Sequence, residues 1–515
     1  MSRYRLRVSL EAAPGFPLSA GGFPDYAATP MKILMASSEM SSLARTGGLG
    51  DVLDALPQAV SGAGHEVSVI LPLYRAIWEN PALKLRETGV QFPVQIGEKT
   101  VEAGVVETVN AAGTQVFLIR RDEYFDRSGI YGMDGRDYED NAERFIFFSK
   151  AVVELTRRME PAPDVIHVHD WQTALIPVLV RDWALPFRTV LTIHNLAYQG
   201  SFWPYDFRFT NLPGEYFGAK GVEFWGNLNL LKAGILFADA VTTVSEAYLH
   251  EIQGPESGCG LDAVIREHAG KFTGILNGAD DAVWNPAKDK LLPATYSAAD
   301  LQGKAICREA LLSAMQLDSK PRGPVIGMVT RLAEQKGFDI LFPILDRLLS
   351  DDVRLVVLGE GDPAYEAELR YHTLKHRGRF AFRSESGVQL SHLIEAGSDM
   401  TLIPSRFEPC GLTAIYSLKY GTLPVARAVG GLRQIVRDYD PMIDDGWGFA
   451  FDRYDAESFW DAIKRARFEF ENESSWSEMM QRAMAQDFSW KAAATSYSEL
   501  YGRLVPPAPA SVEAA

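Results

Sequence analysis

Cysteine is scarce in this chain. Cys259, Cys307 and Cys410 are three in 515 residues, odd in number and far apart. That spacing argues against a disulfide framework or a cysteine-ligated zinc cluster, and it fits a reducing, cytoplasmic setting. Positive charge is also short: 51 Lys plus Arg stand against 67 Asp plus Glu, a net charge of −16. A broad nucleic-acid or anionic-membrane surface is therefore disfavoured, and an anionic ligand must be met by basic residues gathered locally. No apolar run approaches the length of a membrane span. Residues 1–30 lack the continuous apolar core of a secretory signal: Arg3, Arg5 and Arg7 alternate with apolar residues, and Pro14, Gly15, Pro17, Gly21, Gly22 and Pro24 follow. Few serines, with Glu11 and Asp25, fit a transit peptide poorly. The segment reads as a disordered extension, the Pro/Ala-rich stretch 506–515 as a disordered tail, and Met31 as a candidate initiator.

What is present is an alternation of apolar runs and helical patterns. With 47% hydrophobic residues, the chain is long enough for two sizeable cores. Strand-like runs fall at 33–36, 67–71, 116–119, 165–168, 190–193 and 240–244, and a second series at 325–329, 355–358, 380–382, 400–403 and 423–426. Such alternation predicts parallel sheets covered by helices on both faces. No internal repeat is visible. A boundary near 277–290 gives two Rossmann-like doubly wound α/β domains, 31–278 and 279–487, with ligands at the carboxyl ends of strands. Residues 488–505 form a last helix with aromatic anchors Trp490, Tyr497 and Tyr501.

The chemistry concentrates at strand-to-helix turns. Ser405-Arg406-Phe407-Glu408-Pro409-Cys410-Gly411-Leu412-Thr413 lies between the run 400–403 and a helical pattern through Leu412, Ile415, Tyr416 and Leu418. Backbone N–H groups of Gly411, Leu412 and Thr413 would stand unpaired at the helix N-terminus and favour an anion. Glu408 suits sugar hydroxyls, or positive charge developing at a sugar carbon. Arg331, with Lys336 after it, follows the run 325–329 and is placed to neutralise a diphosphate. The Leu358-Gly359-Glu360-Gly361-Asp362 turn is a weaker nucleotide-edge candidate.

Arg45-Thr46-Gly47-Gly48-Leu49-Gly50-Asp51 precedes another helical pattern, and its glycines permit close backbone approach to a ligand. It is neither a dinucleotide fingerprint nor a Walker loop. His167 and His169 share one strand face, but no third ligand of matching spacing stands nearby, so buried hydrogen-bonded histidines are the preferred reading over metal. His194 at the next strand tip is the better sugar contact. Asp140 opens a helix, as a cap or as a functional carboxylate.

Together Lys32-Ile33-Leu34-Met35-Ala36-Ser37-Ser38-Glu39, the 46–52 loop, His169-Asp170-Trp171, Thr192-Ile193-His194-Asn195, Asn277-Gly278, Arg331-Leu332, Gln335-Lys336-Gly337, 408–413 and Lys419-Tyr420-Gly421-Thr422-Leu423-Pro424 resemble the bacterial glycogen synthases and plant starch synthases over about residues 31–503. The resemblance implies a GT-B glycosyltransferase whose two domains face a central cleft. It further implies glucose transfer from ADP-glucose to the nonreducing end of an α-1,4-glucan, with retention and without metal or other cofactor. By motif, Arg331 and Lys336 would hold the diphosphate with Gly47, Gly48, Leu412 and Thr413. Glu408 and His194 would hold the glucosyl unit, Asp140 would lie near the reacting centre or acceptor, and Arg45, Asp51, Asn277, Cys410 and Gly411 would complete the binding surface. Arg45 stands where the family usually has lysine, and Gln172 where histidine is common. The competing readings are a GT-B enzyme using UDP-glucose or a small acceptor, a pyridoxal-dependent phosphorylase for which no clear motif exists, and a catalytically silent glucan-binding regulatory protein.

Overall fold

The structure is a computed structural model and describes residues 30–133, 135–319, 322–384 and 387–505. The two terminal extensions expected from the sequence lie outside the described residues, apart from Pro30.

Fifteen strands build the two main sheets. The first uses β1 (Lys32–Ala36), β2 (Glu66–Pro72), β3 (Arg86–Ile96), β4 (Lys99–Val109), β5 (Gln115–Arg120), β6 (Val165–His169), β7 (Arg188–Ile193), β8 (Ala240–Thr243) and β9 (Phe272–Gly274), in the spatial order β9-β8-β7-β6-β1-β2-β5-β4-β3. From β9 to β5 the neighbours are parallel, as the alternation predicts. The β5-β4-β3 edge is antiparallel, which the sequence reading missed. β3 is mostly exposed and β4 alternates buried with exposed or half-buried residues over much of its length, so neither shows the continuous apolar run that marks a buried parallel strand. Pro93 is tolerated because β3 is an edge strand.

The second sheet is parallel throughout: β10 (Val325–Val329), β11 (Arg354–Leu358), β12 (Phe380–Arg383), β13 (Met400–Ile403), β14 (Leu423–Arg427) and β15 (Phe449–Phe451), ordered β12-β11-β10-β13-β14-β15. Three-residue β9 and β15 were too short to read beforehand.

Six helices matter below: α1 (Gly48–Gly62), α2 (Asn141–Thr156), α3 (Phe338–Ser350), α4 (Pro363–Lys375), α5 (Leu412–Lys419) and α6 (Trp490–Leu504). Each sheet has its own apolar core. α6 belongs to the first core although it follows the second domain in sequence, because Trp490, Ala493, Tyr497, Leu500 and Tyr501 recur at helical spacing and all are buried there. Burying Leu500 alone contributes about 1.5–3 kcal/mol. The Tyr501 hydroxyl also reaches His167 Nδ1 at 2.8 Å. The two chain crossings run side by side: Ala279 N–H donates to Phe488 O at 2.8 Å, and a Cβ at Gly278 would stand 2.5 Å from Trp490 N. This packing sets the two sheets with strand ends around one cleft.

Candidate active site

A cavity of about 440 Å³ lies between the domains. On the second-domain side, the end of β10 supplies Arg331 and Lys336, and the turn after β13 supplies Glu408 and residues 409–413. Lys336 Nζ donates to Glu408 Oε2 at 2.6 Å, Ser405 Oγ donates to the same oxygen at 2.9 Å, and both charged side chains are mostly buried. The turn needs glycine twice. Gly411 caps α5 at φ 91°, where a Cβ would also press 2.8 Å from Leu432 Cδ2, and a Cβ on Gly431 would meet Cys410 O at 1.8 Å. Ala414 N–H turns back to Gly411 O at 2.9 Å, so Leu412 and Thr413 present their N–H groups at the start of α5. A helix start beside two cations is an anion site.

The first-domain side is organised differently. Glu39, 4% exposed, accepts the backbone N–H of Thr46 at 2.6 Å and of Gly47 at 3.0 Å, together with the hydroxyls of Thr46 at 2.8 Å and Tyr131 at 2.7 Å. The Gly47 N–H, expected from sequence to help hold phosphate, is thus already occupied. Gly48 and Leu49 at the first turn of α1 keep theirs for the cleft. A Cβ on Gly48 would stand 3.5 Å from Leu412 Cδ1, so the two helix starts face each other at contact distance. Glu39 entered the sequence reading only as part of a motif; its role was invisible because its partners lie seven and 92 residues away.

Arg45 Nη1 pairs with Asp51 Oδ1 at 3.2 Å, and Ser41 Oγ donates to the same oxygen at 2.6 Å. Burial pushes the Asp51 carboxyl up, while Ser41 and Arg45 pull it back. Asp51 lines the cavity; Arg45 does not. Asp140 is also outside the lining. Arg127 grips it with both guanidinium nitrogens, at 2.7 and 2.5 Å, and its carboxylate makes no capping bond to α2. Asp137 and Asn141, its neighbours along the chain, face the cavity instead.

At the ends of β6 and β7 the buried polar groups form a connected set. His167 joins Tyr501 and Thr192, and His194 Nε2 meets His169 Nδ1 at 3.0 Å. Burial pushes His167 and His194 down to about 3, so both rings are neutral near pH 7. His167 uses both ring nitrogens in these contacts, while His169 Nε2 is buried with no hydrogen-bond partner among the described residues. Asp170 holds a left-handed backbone, φ 56°, and accepts the His194 N–H at 2.7 Å. Burial raises its carboxyl to about 7. Such strain and such a shift in a cleft mark a functional position that sequence reasoning treated only as a motif letter.

Asn277 and Cys410 complete the lining, and burial pushes the Cys410 thiol up to about 12, which removes it as a nucleophile. Tyr416 stacks on Trp284 at 4.0 Å, and Trp284 stacks on His392 at 4.1 Å, a column behind the site that the sequence did not disclose. Arg331 Nη1 reaches Tyr198 OH across the cleft at 3.4 Å. Twelve of the fourteen residues expected at the site by sequence therefore line one cavity, and Arg45 and Asp140 stand outside it.

Residues 32–267 match the family model described as "Starch synthase catalytic domain", and residues 314–480 match "Glycosyl transferases group 1". The catalytic domain of Starch Synthase IV from Arabidopsis thaliana, solved with ADP and acarbose, superposes with a TM-score of 0.86 at 33% identity, covering 92% of this chain and 99% of that one. Two paired α/β domains with these matches define a glycosyltransferase of the GT-B class. The glycogen synthase of Opitutus terrae is 44% identical over 92% of this chain and 99% of its own length, and glycogen synthase 2 of Geobacter sulfurreducens is 42% identical over 92% and 98%. The chain belongs to the glycogen and starch synthase family, and its activity is glucosyl transfer of that kind. Among the described residues no helix is long and apolar enough to cross a membrane.

Proposed function

We propose that the enzyme takes its glucose from ADP-glucose and adds it to the nonreducing 4-hydroxyl of an α-1,4-glucan, with retention and without a metal or other cofactor. One observation carries this reading: Arg331, Lys336 and the free N–H groups of Leu412 and Thr413 converge on one side of a cleft whose other side bears Glu39, Asp51 and Asp170. That side offers two positive charges and a helix dipole to a diphosphate, so the leaving group is neutralised by the protein itself. Lys336 is held by Glu408 until the diphosphate arrives and competes for it. Glu408 is then free to accept from glucosyl hydroxyls or to steady charge at the anomeric carbon, with His194 and Asn277 lining the glucosyl end. Asp140, fixed by Arg127, is assigned to the acceptor side through its neighbours Asp137 and Asn141. A cytoplasmic setting, with three free cysteines, is part of the same reading.

The reaction proceeds on one face. The glycosidic C–O bond to the diphosphate breaks, the acceptor oxygen attacks the same face of the sugar, and the departing phosphate oxygen takes the acceptor's proton. Positioning and charge stabilisation supply the acceleration. The purified enzyme is to be assayed with ADP-glucose and UDP-glucose, each with glycogen and with a simple sugar. Turnover with ADP-glucose and glycogen, yielding α-linked product, is expected. Equal or faster transfer from UDP-glucose would refute the donor assignment, and a trapped glucosyl ester on a carboxylate would refute same-face attack.

A further inference from the structure

A second cluster of chemistry-bearing side chains lies in the second domain, and none of its members lines the cleft. Asp346 on α3 faces His372 on α4 and His376, which caps α4. Asp346 Oδ1 is 2.7 Å from His376 Nε2 and 3.6 Å from His372 Nδ1, and one ligand atom from each residue lies within 4.8 Å of the other two. His372 is 5% exposed. Its Nε2 stands 3.3 Å from Glu368 Oε1, while its Nδ1 is buried with no hydrogen-bond partner among the described residues.

The orphaned nitrogen decides what fits here. A proton on Nε2, shared with Glu368, leaves a lone pair on Nδ1 aimed toward a carboxylate oxygen. With that tautomer, the Nδ1 lone pair of His372 and Asp346 Oδ1 face each other at 3.6 Å, and a cation between them, displacing the 2.7 Å contact of His376 Nε2 to the same oxygen, would satisfy both. The rings of His372 and His376 lie one helical turn apart and nearly parallel, at 7° and 5.8 Å, so both are on the α4 side that carries Asp346's partners, with a ligand atom of each within 4.8 Å of the other and of the carboxylate. We propose that Asp346, His372 and His376 form a divalent transition-metal site of zinc type, with solvent in the remaining position.

Two imidazoles and one carboxylate suit zinc rather than the oxygen-seeking magnesium or calcium. Glu368 behind His372 is the second carboxylate that orients a metal-bound imidazole. Lys375 does not block the site, because it pairs with the other oxygen, Oδ2, at 2.5 Å and is partly exposed. The ion would clip α3 to α4. α3 begins two residues after Lys336, so the clip would brace the helix behind the proposed diphosphate site without touching the ligand.

The test uses the full chain, stripped with EDTA, desalted and titrated with zinc chloride by calorimetry. One site per chain is expected, with affinity at least tenfold weaker in His376→Ala and in Asp346→Asn, and saturating zinc should raise Tm by roughly 2–4 °C in the parent only. Glucosyl transfer by both variants should match the parent, which shows that each is folded. No zinc binding by the parent, or undiminished binding in a folded variant, would overturn the proposal.

Discussion

The two sides of the cleft use the same device, a glycine turn entering a helix, for opposite ends. In the second domain the start of α5 is open, and Arg331 and Lys336 stand beside it against one carboxylate, Glu408. In the first domain the buried Glu39 occupies the N–H groups ahead of α1, and Asp51 sits in its first turn against Arg45. One side sets two cations beside an open helix start, and the other spends the Thr46 and Gly47 N–H groups on an internal anion that fixes its loop and keeps only those of Gly48 and Leu49 for the cleft. What a helix start can offer an anion therefore depends on the charges set beside it and on which of the N–H groups around it are already spent. That distinction depends on tertiary contacts, not on the glycine motif.

The comparison breaks most sharply at the cations. Lys336→Ala and Arg331→Ala should each lower kcat with ADP-glucose by about 10²-fold or more, the scale of a lost electrostatic donor at a developing charge. Initial rates at saturating donor measure this. Near-normal turnover in both would move the diphosphate off the second domain. Glu39→Gln should cost less and act differently. It removes charge from bonds to Thr46, Gly47 and Tyr131, each of the class worth about 1.5–3 kcal/mol, so Tm should fall and the donor KM should rise by about tenfold while kcat holds. A variant that keeps the parent's Tm and KM would show that the loop needs no internal anion.

These differences explain what the sequence disclosed. The buried parallel strands were legible because they are continuous apolar runs, and both helix starts were legible because glycine precedes a 3.6-residue pattern. The antiparallel edge was not, since the exposed faces of β3 and β4 erase the run and Gly89 and Pro93 interrupt it. Most site residues could be named because strand ends collect ligand contacts. Partnership was hidden. Nothing local shows that Arg127 holds Asp140, that Arg45 turns to Asp51, or that Trp284 stacks on Tyr416.

A smaller effect should come from Asp170, whose raised carboxyl belongs to the acidic first-domain side. Its folded value of about 7 exceeds an unfolded value near ~3.9. The stability it contributes is thus fully present below about pH 4 and is lost as pH rises through about 7. Asp170→Asn keeps an acceptor for the His194 N–H, so it should fold, flatten that fall in a Tm series from pH 4 to 8, and remove an ionisation near 7 from the kcat/KM profile. His194, held neutral by burial, should contribute no ionisation in this range. An unchanged profile and Tm series would place Asp170 among ordinary ionised carboxylates.

The mildest change tests the comparison at its most exposed point. Arg45 is 46% exposed and pairs with a carboxylate that Ser41 also satisfies, and exposed pairs of this kind contribute about 0–1 kcal/mol. If the first-domain loop only shapes and closes the cleft, Arg45→Lys and Arg45→Ala should both change kcat/KM for ADP-glucose by less than about fivefold, since up to ~1 kcal/mol corresponds to that factor. If the guanidinium instead leaves Asp51 and grips the diphosphate with its planar fork, lysine would replace it poorly and alanine worse, with losses spread in that order. A hundredfold loss in Arg45→Ala would mean that the first domain supplies a cation of its own when ligand is bound, and the division of labour between the two helix starts would hold only for the empty cleft.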